Sequence, residues 1–193
     1  VANPEDAIHM KAYMKDQFEF LGVKTPVRRK LSKVFFKKNS SLAIDWKFIH
    51  QAWDNPYREM QYVVLDYLQL KQKALTPSDL PKIKKLAQTK PWWDTIDFLC
   101  RSVGYISLHY PETKKIVLDW SRDKDFWLRR IAIEHQLLQK EETDVQLLEQ
   151  ILINNLNQTE FFINKAIGWA LRDYSKTNPE WVLEFIEKYK DKL

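Results

Sequence analysis

The stretch "TKPWWDTIDFLC", residues 89–100, sets Trp92 and Trp93 before two carboxylates, Asp94 and Asp97, with Trp93 and Asp97 one helical turn apart. Aromatic bulk usually seeks a core and a carboxylate usually seeks water, so the pairing asks for a reason. A carboxylate attracts a cation through its charge, and a tryptophan face attracts one through its π-electrons, so together they suit a positive charge that is present or develops. Asp94, nearer the helix start, is accounted for by the helix dipole. Asp97 also has a structural reading, a first-turn carboxylate that meets the helix dipole or pairs with Arg130 or Arg101.

Two further segments carry related residues. In "FFINKAIGWALRDY" (161–174) the helical period sorts Ile163, Ile167, Ala170, Leu171 and Tyr174 onto an apolar stripe. Phe162, Lys165, Trp169, Arg172 and Lys176 fall on the other. A tryptophan in a basic stripe is either a ligand-facing ring or a ring covered by Lys and Arg stems. The segment "FWLRRIAIEHQLL" (126–138) repeats the theme, with Trp127 and Arg130 near one turn apart and Arg129 beside them. Guanidinium and ammonium groups neutralise phosphates, while tryptophan faces contact sugars, bases or cations.

The elements that must position these residues are helices. Only three glycines occur, at 22, 104 and 168, too few for the turns of an all-β fold, and apolar residues recur at helical spacing in most windows: 63, 64, 67, 68; 131, 133, 137, 138. Start signals fall in "TPSDLPKIKKL", "NNLNQTEFF" and "KTNPEWVLEFI". Matching Arg58, Trp93, Trp127 and Phe162 superposes four segments at steps of 35, 34 and 35 residues, and brings Gln61, Ile96, Arg130 and Lys165 into register as a polar or aromatic face. A period near 35 with two helices per unit predicts an all-α solenoid, closer to HEAT than to TPR repeats; an irregular helical bundle is the alternative. Stacked side by side, the repeats would line Trp93, Asp97, Trp127, Arg130, Lys165, Trp169 and Arg172 along one concave, basic and aromatic face.

The totals bound the rest. The 193 residues, 45% hydrophobic, suffice for one domain, and 31 Lys plus Arg against 26 Asp plus Glu give a net charge of +5 that favours polyanionic partners. One cysteine, Cys100, excludes a disulfide framework, and the four histidines show no metal-ligand spacing. No apolar run is long enough to span a membrane and no signal peptide opens the chain, so a soluble intracellular protein is expected. The chain opens on Val without an initiator Met, as a fragment of a longer product would.

If the polyanion is duplex DNA, a local positive charge is supplied by an N3- or N7-alkylated purine. Such a base is already a good leaving group, so cleaving its glycosidic bond needs mainly stabilisation of the sugar oxocarbenium ion and a positioned water, and one ionised carboxylate can do both. The sequence resembles the AlkD-type DNA alkylation repair enzymes, HEAT-like-repeat alkylpurine DNA glycosylases. The resemblance is carried by "AYMKDQFEFLGVKTPVRRKL", "KPWWDTID", "FWLRRIAI" and "FFINKAIGWALRDYSKTNPEWV", which together run through nearly the whole chain. It implies a right-handed α-solenoid formed by a single domain over 1–193. It also implies monofunctional excision of 3-alkyladenine and 7-alkylguanine in base excision repair, with no metal or other cofactor and no insertion of the base into a pocket.

Position by position, the resemblance makes Asp97 the catalytic carboxylate, with Trp93 and Trp169 the active-site tryptophans. Arg130, Lys165 and Arg172 become DNA-binding residues near the lesion, Tyr13 lines the cleft, and Lys24 and Thr25 meet the duplex backbone and opposing strand. Two departures stand out: Lys24 replaces a glutamine common in the family, and the chain stops at "EKYKDKL", short of the usual final helices, as a truncated C-terminus would. The expected partner is duplex DNA containing alkylated purines, bound by a monomer in the cytoplasm, associated with the nucleoid when on DNA. A non-catalytic HEAT-like module that recognises DNA structure or damage is the alternative reading, and a protein-binding scaffold a third. No lysine lies next to Asp97 in sequence to serve as a Schiff-base nucleophile, which argues against lyase chemistry.

Overall fold

The computed structural model describes residues 1–38, with the backbone alone at Lys38, and 43–193. Among these residues the chain is all-α: eleven α-helices and five short 3-10 turns, with an isolated bridge between Glu19 and Tyr57 in place of any strand. It divides into two compact units, Val1–Ala74 and Leu75–Leu193.

The first unit holds α1 (Pro4–Tyr13), α2 (Thr25–Lys38), α3 (Trp46–Trp53) and α4 (Arg58–Leu70). Asn3 caps α1 by accepting from the Glu5 and Asp6 N–H groups, and Pro4, which lacks an N–H, occupies the first turn where none is needed. Asp45 caps α3 in the same way through the Phe48 N–H. Between α1 and α2 the chain turns at Gly22, whose φ of +77° suits glycine and whose hydrogen faces the Asn3 carbonyl, 1.9 Å from where a Cβ would sit. The buried Glu59 carboxylate of α4 binds this turn, accepting the N–H groups of Leu21, Gly22 and Val23 at 2.9–3.1 Å. Arg28 and Arg29 of α2 both reach Asp66 of α4, while Ile49, Trp53, Val64, Leu65 and Leu68 form the core between α3 and α4.

The second unit holds α5 (Leu80–Ala87), α6 (Trp93–His109), α7 (Lys114–Trp120), α8 (Phe126–Glu134), α9 (Val145–Ile153), α10 (Phe161–Tyr174) and α11 (Pro179–Tyr189). The predicted start signals are where these helices begin: Thr76 and Asp79 form a capping box ahead of α5, Glu160 caps α10, and Asn178 with Pro179 opens α11. The core runs through Ile83, Leu86, Ile96, Leu99, Val103, Ile106, Leu128 and Ile131, all essentially inaccessible to solvent. The α6 helix packs against α8, and α8 against α10. Gly104 permits the first of these approaches, since a Cβ there would lie 2.0 Å from the His135 carbonyl oxygen.

The four residues matched by the 35-residue register, Arg58, Trp93, Trp127 and Phe162, all fall in the first turn of a helix. The face inferred from the same register differs. Gln61, Ile96 and Arg130 are buried and only Lys165 is exposed, because these positions of α4, α6 and α8 point inward. The α8 helix also ends at Glu134, short of Leu137 and Leu138; Leu138 adopts a φ of +67° and is exposed.

Candidate functional site

Trp92, the N-cap residue of α6, is fully extended, with φ −163° and ψ 157°. Its ring meets Trp127 at 6.0 Å and Phe162 at 5.4 Å between centroids, and Trp127 meets Phe162 at 4.9 Å. These rings fasten the first turns of α6, α8 and α10 together. Trp127 is therefore buried structure, 6% exposed, and not part of an open aromatic face as the sequence suggested. The outcome in α10 is the reverse: Ile163, Ile167, Ala170, Leu171 and Tyr174 are buried, while Lys165, Trp169 and Arg172 are exposed.

An open cleft of about 580 Å³ lies over these helices, lined by Trp93, Arg130, Lys165, Gly168, Trp169 and Arg172 together with Phe161, Phe162 and Asn164. Trp169 leaves 42% of its surface open. Gly168 contributes no packing: a Cβ added there would meet nothing within 4 Å. In a helix interior glycine costs about 0.5–1 kcal/mol relative to alanine, so nothing in the fold repays its presence.

Asp97 sits one turn beyond Trp93, its side chain 15% exposed, and Oδ1 accepts from Arg130 Nε at 2.9 Å and Nη2 at 2.8 Å. Arg130 is itself buried, and its Nη1 donates to the Phe162 carbonyl at 2.6 Å. Of the two partners the sequence left open for Asp97, Arg130 is the one engaged; the Arg101 guanidinium lies over the Phe98 ring at 4.6 Å. Burial raises the Asp97 pKa, and the neighbouring guanidinium opposes that rise. Asp94 stays in the first turn, with Oδ1 accepting the Thr95 N–H at 2.9 Å.

Beneath this pair is a residue the sequence reading missed. Glu134, fully buried, places Oε1 2.8 Å from Arg130 Nη2, yet neither of its oxygens accepts a hydrogen bond. The distance is that of an ion pair; the angle is not that of a hydrogen bond. Burial first, and then the Asp97 charge, push the Glu134 pKa from 4.5 up to about 9. The one signal in the sequence was a glutamate four residues after Arg130 on an otherwise apolar helix face. Cys100 is not a nucleophile here: its buried thiol donates to the Asp97 carbonyl, and burial holds its pKa well above 9.0.

Of the nine residues singled out from sequence, the second unit thus gathers six: Trp93, Arg130, Lys165, Trp169 and Arg172 line the cleft, and Asp97 is bound to Arg130. The other three lie on the first unit. Tyr13 ends α1 and is exposed, Thr25 opens α2, and Lys24, also exposed, pairs with Asp6 at 2.9 Å. Among the described residues there is no cluster of His, Cys, Asp and Glu able to hold a metal ion, and no helix long and apolar enough to cross a membrane.

A family described as "DNA alkylation repair enzyme" matches residues 1–193. The chain belongs to the DNA alkylation repair enzyme family. Among solved structures it is similar to one titled "Predicted DNA alkylation repair enzyme from Enterococcus faecalis", with 35% identity and a TM-score of 0.89, over 97% of this chain and 89% of that one. No curated protein matches it. Membership of this family ties the protein to the repair of alkylated DNA and makes DNA its partner. Trp93, Arg130 and Trp169, with Asp97 bound to Arg130, are thus gathered in the second unit of a protein of that family.

Proposed function

We propose that the protein is a monofunctional DNA glycosylase that releases N3- and N7-alkylated purines from duplex DNA. The single observation that carries this reading is the Asp97–Arg130 pair beside an aromatic cleft with cationic walls. The alkylated purine is cationic, so the C1′–N9 bond breaks with its electron pair going to the base, which leaves neutral. Positive charge appears on the sugar instead. Asp97, kept ionised by Arg130, stabilises that charge and orients a water whose oxygen bonds to C1′ and whose proton is lost to the carboxylate or to solvent.

In this reading Trp93 and Trp169 hold the cationic base and deoxyribose against their faces, and Lys165 and Arg172 meet phosphates. Arg130 acts through Asp97 more than through phosphate, because its guanidinium is occupied by Asp97 and the Phe162 carbonyl. Tyr13, Lys24 and Thr25 are proposed as DNA contacts on the first unit, and the repeated helix starts are read as HEAT-like. A catalytically inert DNA-binding module is the second reading, and the occupied Arg130 favours it to the extent that an Asp97–Arg130 pair can be purely structural.

Single-turnover release of 7-methylguanine from a defined duplex separates the two. Wild type should release the base, and Asp97→Asn should slow release by about a thousandfold or more while duplex affinity stays within about threefold, because only the charge interaction made in the transition state is lost. Duplex binding without release by wild type would discard the glycosylase in favour of the binding module.

A further inference from the structure

The Glu134 carboxyl is enclosed by named charges. From α6 it is faced by Asp97, with Asp94 and Cys100 around that residue and the exposed Arg101 acting on Cys100; from its own helix it is faced by Arg130; and the neighbouring His135 is buried and neutral. Two carboxylates and one guanidinium cannot all be ionised in a buried cluster without leaving a net negative charge there, so one carboxyl keeps a proton. Geometry decides which. Asp97 accepts two N–H bonds from Arg130 and reaches solvent, whereas Glu134 has no solvent and no donor aimed at either oxygen. The proton belongs on Glu134, where its O–H has Asp97 within hydrogen-bonding reach.

We propose that Glu134 is a positioning residue for Asp97: as a neutral acid it donates a hydrogen bond to the Asp97 carboxylate, which is thereby gripped from one side by Arg130 and from the other by Glu134. This deepens the glycosylase reading and rests on it for its kinetic consequences. The neutral acid adds a third donor to Asp97, favours its ionised form, and leaves Asp97 the one carboxylate charge that Arg130 meets there. Once Glu134 ionises, it repels Asp97 and competes for Arg130, and the grip is lost. Ionisation falls near pH 9, so excision should decline above that pH.

The test is the pH profile of single-turnover 7-methylguanine release by wild type, Glu134→Gln and Glu134→Leu, with thermal unfolding to confirm that each variant is folded. Glutamine is neutral at every pH and still donates, so its rate at pH 7 should fall no more than about threefold and the decline above pH 9 should vanish. Leucine fills the space and donates nothing; its rate at pH 7 should fall about thirtyfold, and its acid limb should move to higher pH as Asp97 becomes easier to protonate. A glutamine variant with the wild-type alkaline decline, or a leucine variant as fast as wild type, overturns the proposal. A purely structural role would alter unfolding without moving either limb.

The ¹³C carboxyl shift of Glu134, followed from pH 4 to 10 in wild type and Asp97→Asn, keeps the positioning claim separate from the glycosylase claim. Titration near pH 9 in wild type, shifted down in Asp97→Asn where the neighbouring charge and acceptor are gone, supports the coupling even if no base is released. Titration in the ordinary carboxylate range, or indifference to the loss of Asp97, overturns it whatever the excision assay reads.

Discussion

Each unit of the molecule buries a glutamate, and the two are held in opposite ways. Glu59, on the first unit, accepts the N–H groups of three successive residues, 21 to 23, so its charge is met by backbone dipoles on the turn it binds. Glu134, on the second, has no hydrogen bond to either oxygen and lies between a guanidinium and another carboxylate. A carboxyl saturated by the backbone is a structural fastener. One left unsaturated beside a charge pair is a place to keep a proton, and in this protein it adjoins the residue proposed to do the chemistry. Burial alone does not separate the two; hydrogen-bond supply does.

Replacing each glutamate by leucine is the widest test of that contrast. Glu59→Leu strands three buried or half-buried N–H groups and should lower unfolding free energy by about 3 kcal/mol or more. Glu134→Leu removes the donor to Asp97 but also a buried carboxyl that accepts nothing, leaves Arg130 bonded to Asp97 and Phe162, and should cost about 1 kcal/mol or less. Urea denaturation of the two variants reads the difference, and equal losses would break the comparison.

A smaller effect concerns pH. Glu134 keeps its proton to about 9 in the folded state and to 4.5 when unfolded, so the folded state binds the extra proton in between. The stability this contributes is fully present below pH 4.5 and is lost as pH rises through 9. The adjacent His135, lowered by burial from 6.5 to about 4, works the other way: the unfolded chain takes the proton, and stability is lost as pH falls from 6.5 toward 4. Between pH 6.5 and 9 the glutamate acts without the histidine. There wild type should lose about 1 kcal/mol per pH unit, Glu134→Gln should be flatter, and Glu59→Leu should keep the wild-type slope from its lower starting point. A wild-type slope retained in Glu134→Gln would move the buried proton to another residue.

The sequence carried the helices and the exposed stripe of α10 because both are local, set by periodicity within one element and by caps such as Glu160 and Asn178. Trp93, Asp97 and Trp169 were legible for the same reason, their spacing being internal to a helix. Trp127 was misread because its neighbours Arg129 and Arg130 suggest an open basic surface, whereas its burial depends on rings arriving from α6 and α10. The choice of Arg130 over Arg101 as the partner of Asp97 is likewise a matter of packing between helices. Glu134 was invisible because charged residues are rarely fully buried unless paired, and its pairing with Asp97 spans two helices.

The glycines repeat the contrast at the smallest scale. Gly22 is demanded by the fold, through a φ of +77° and a carbonyl 1.9 Å from any Cβ. Gly168 is demanded by nothing in the protein, with ordinary helical backbone and open space beyond it, yet it lines the cleft beside Trp169. A helix keeps such a residue at a cost when something outside the chain must come close, and a DNA sugar or alkylated base lying across α10 would need that room. Gly168→Ala should therefore raise unfolding free energy by about 0.5–1 kcal/mol, since alanine is the better helix former and meets no clash. The same variant should release 7-methylguanine severalfold more slowly, because the added methyl group stands where the ligand approaches. A variant that gained stability and kept full excision would place the ligand elsewhere in the cleft and leave Gly168, like Gly22, without a part in the chemistry.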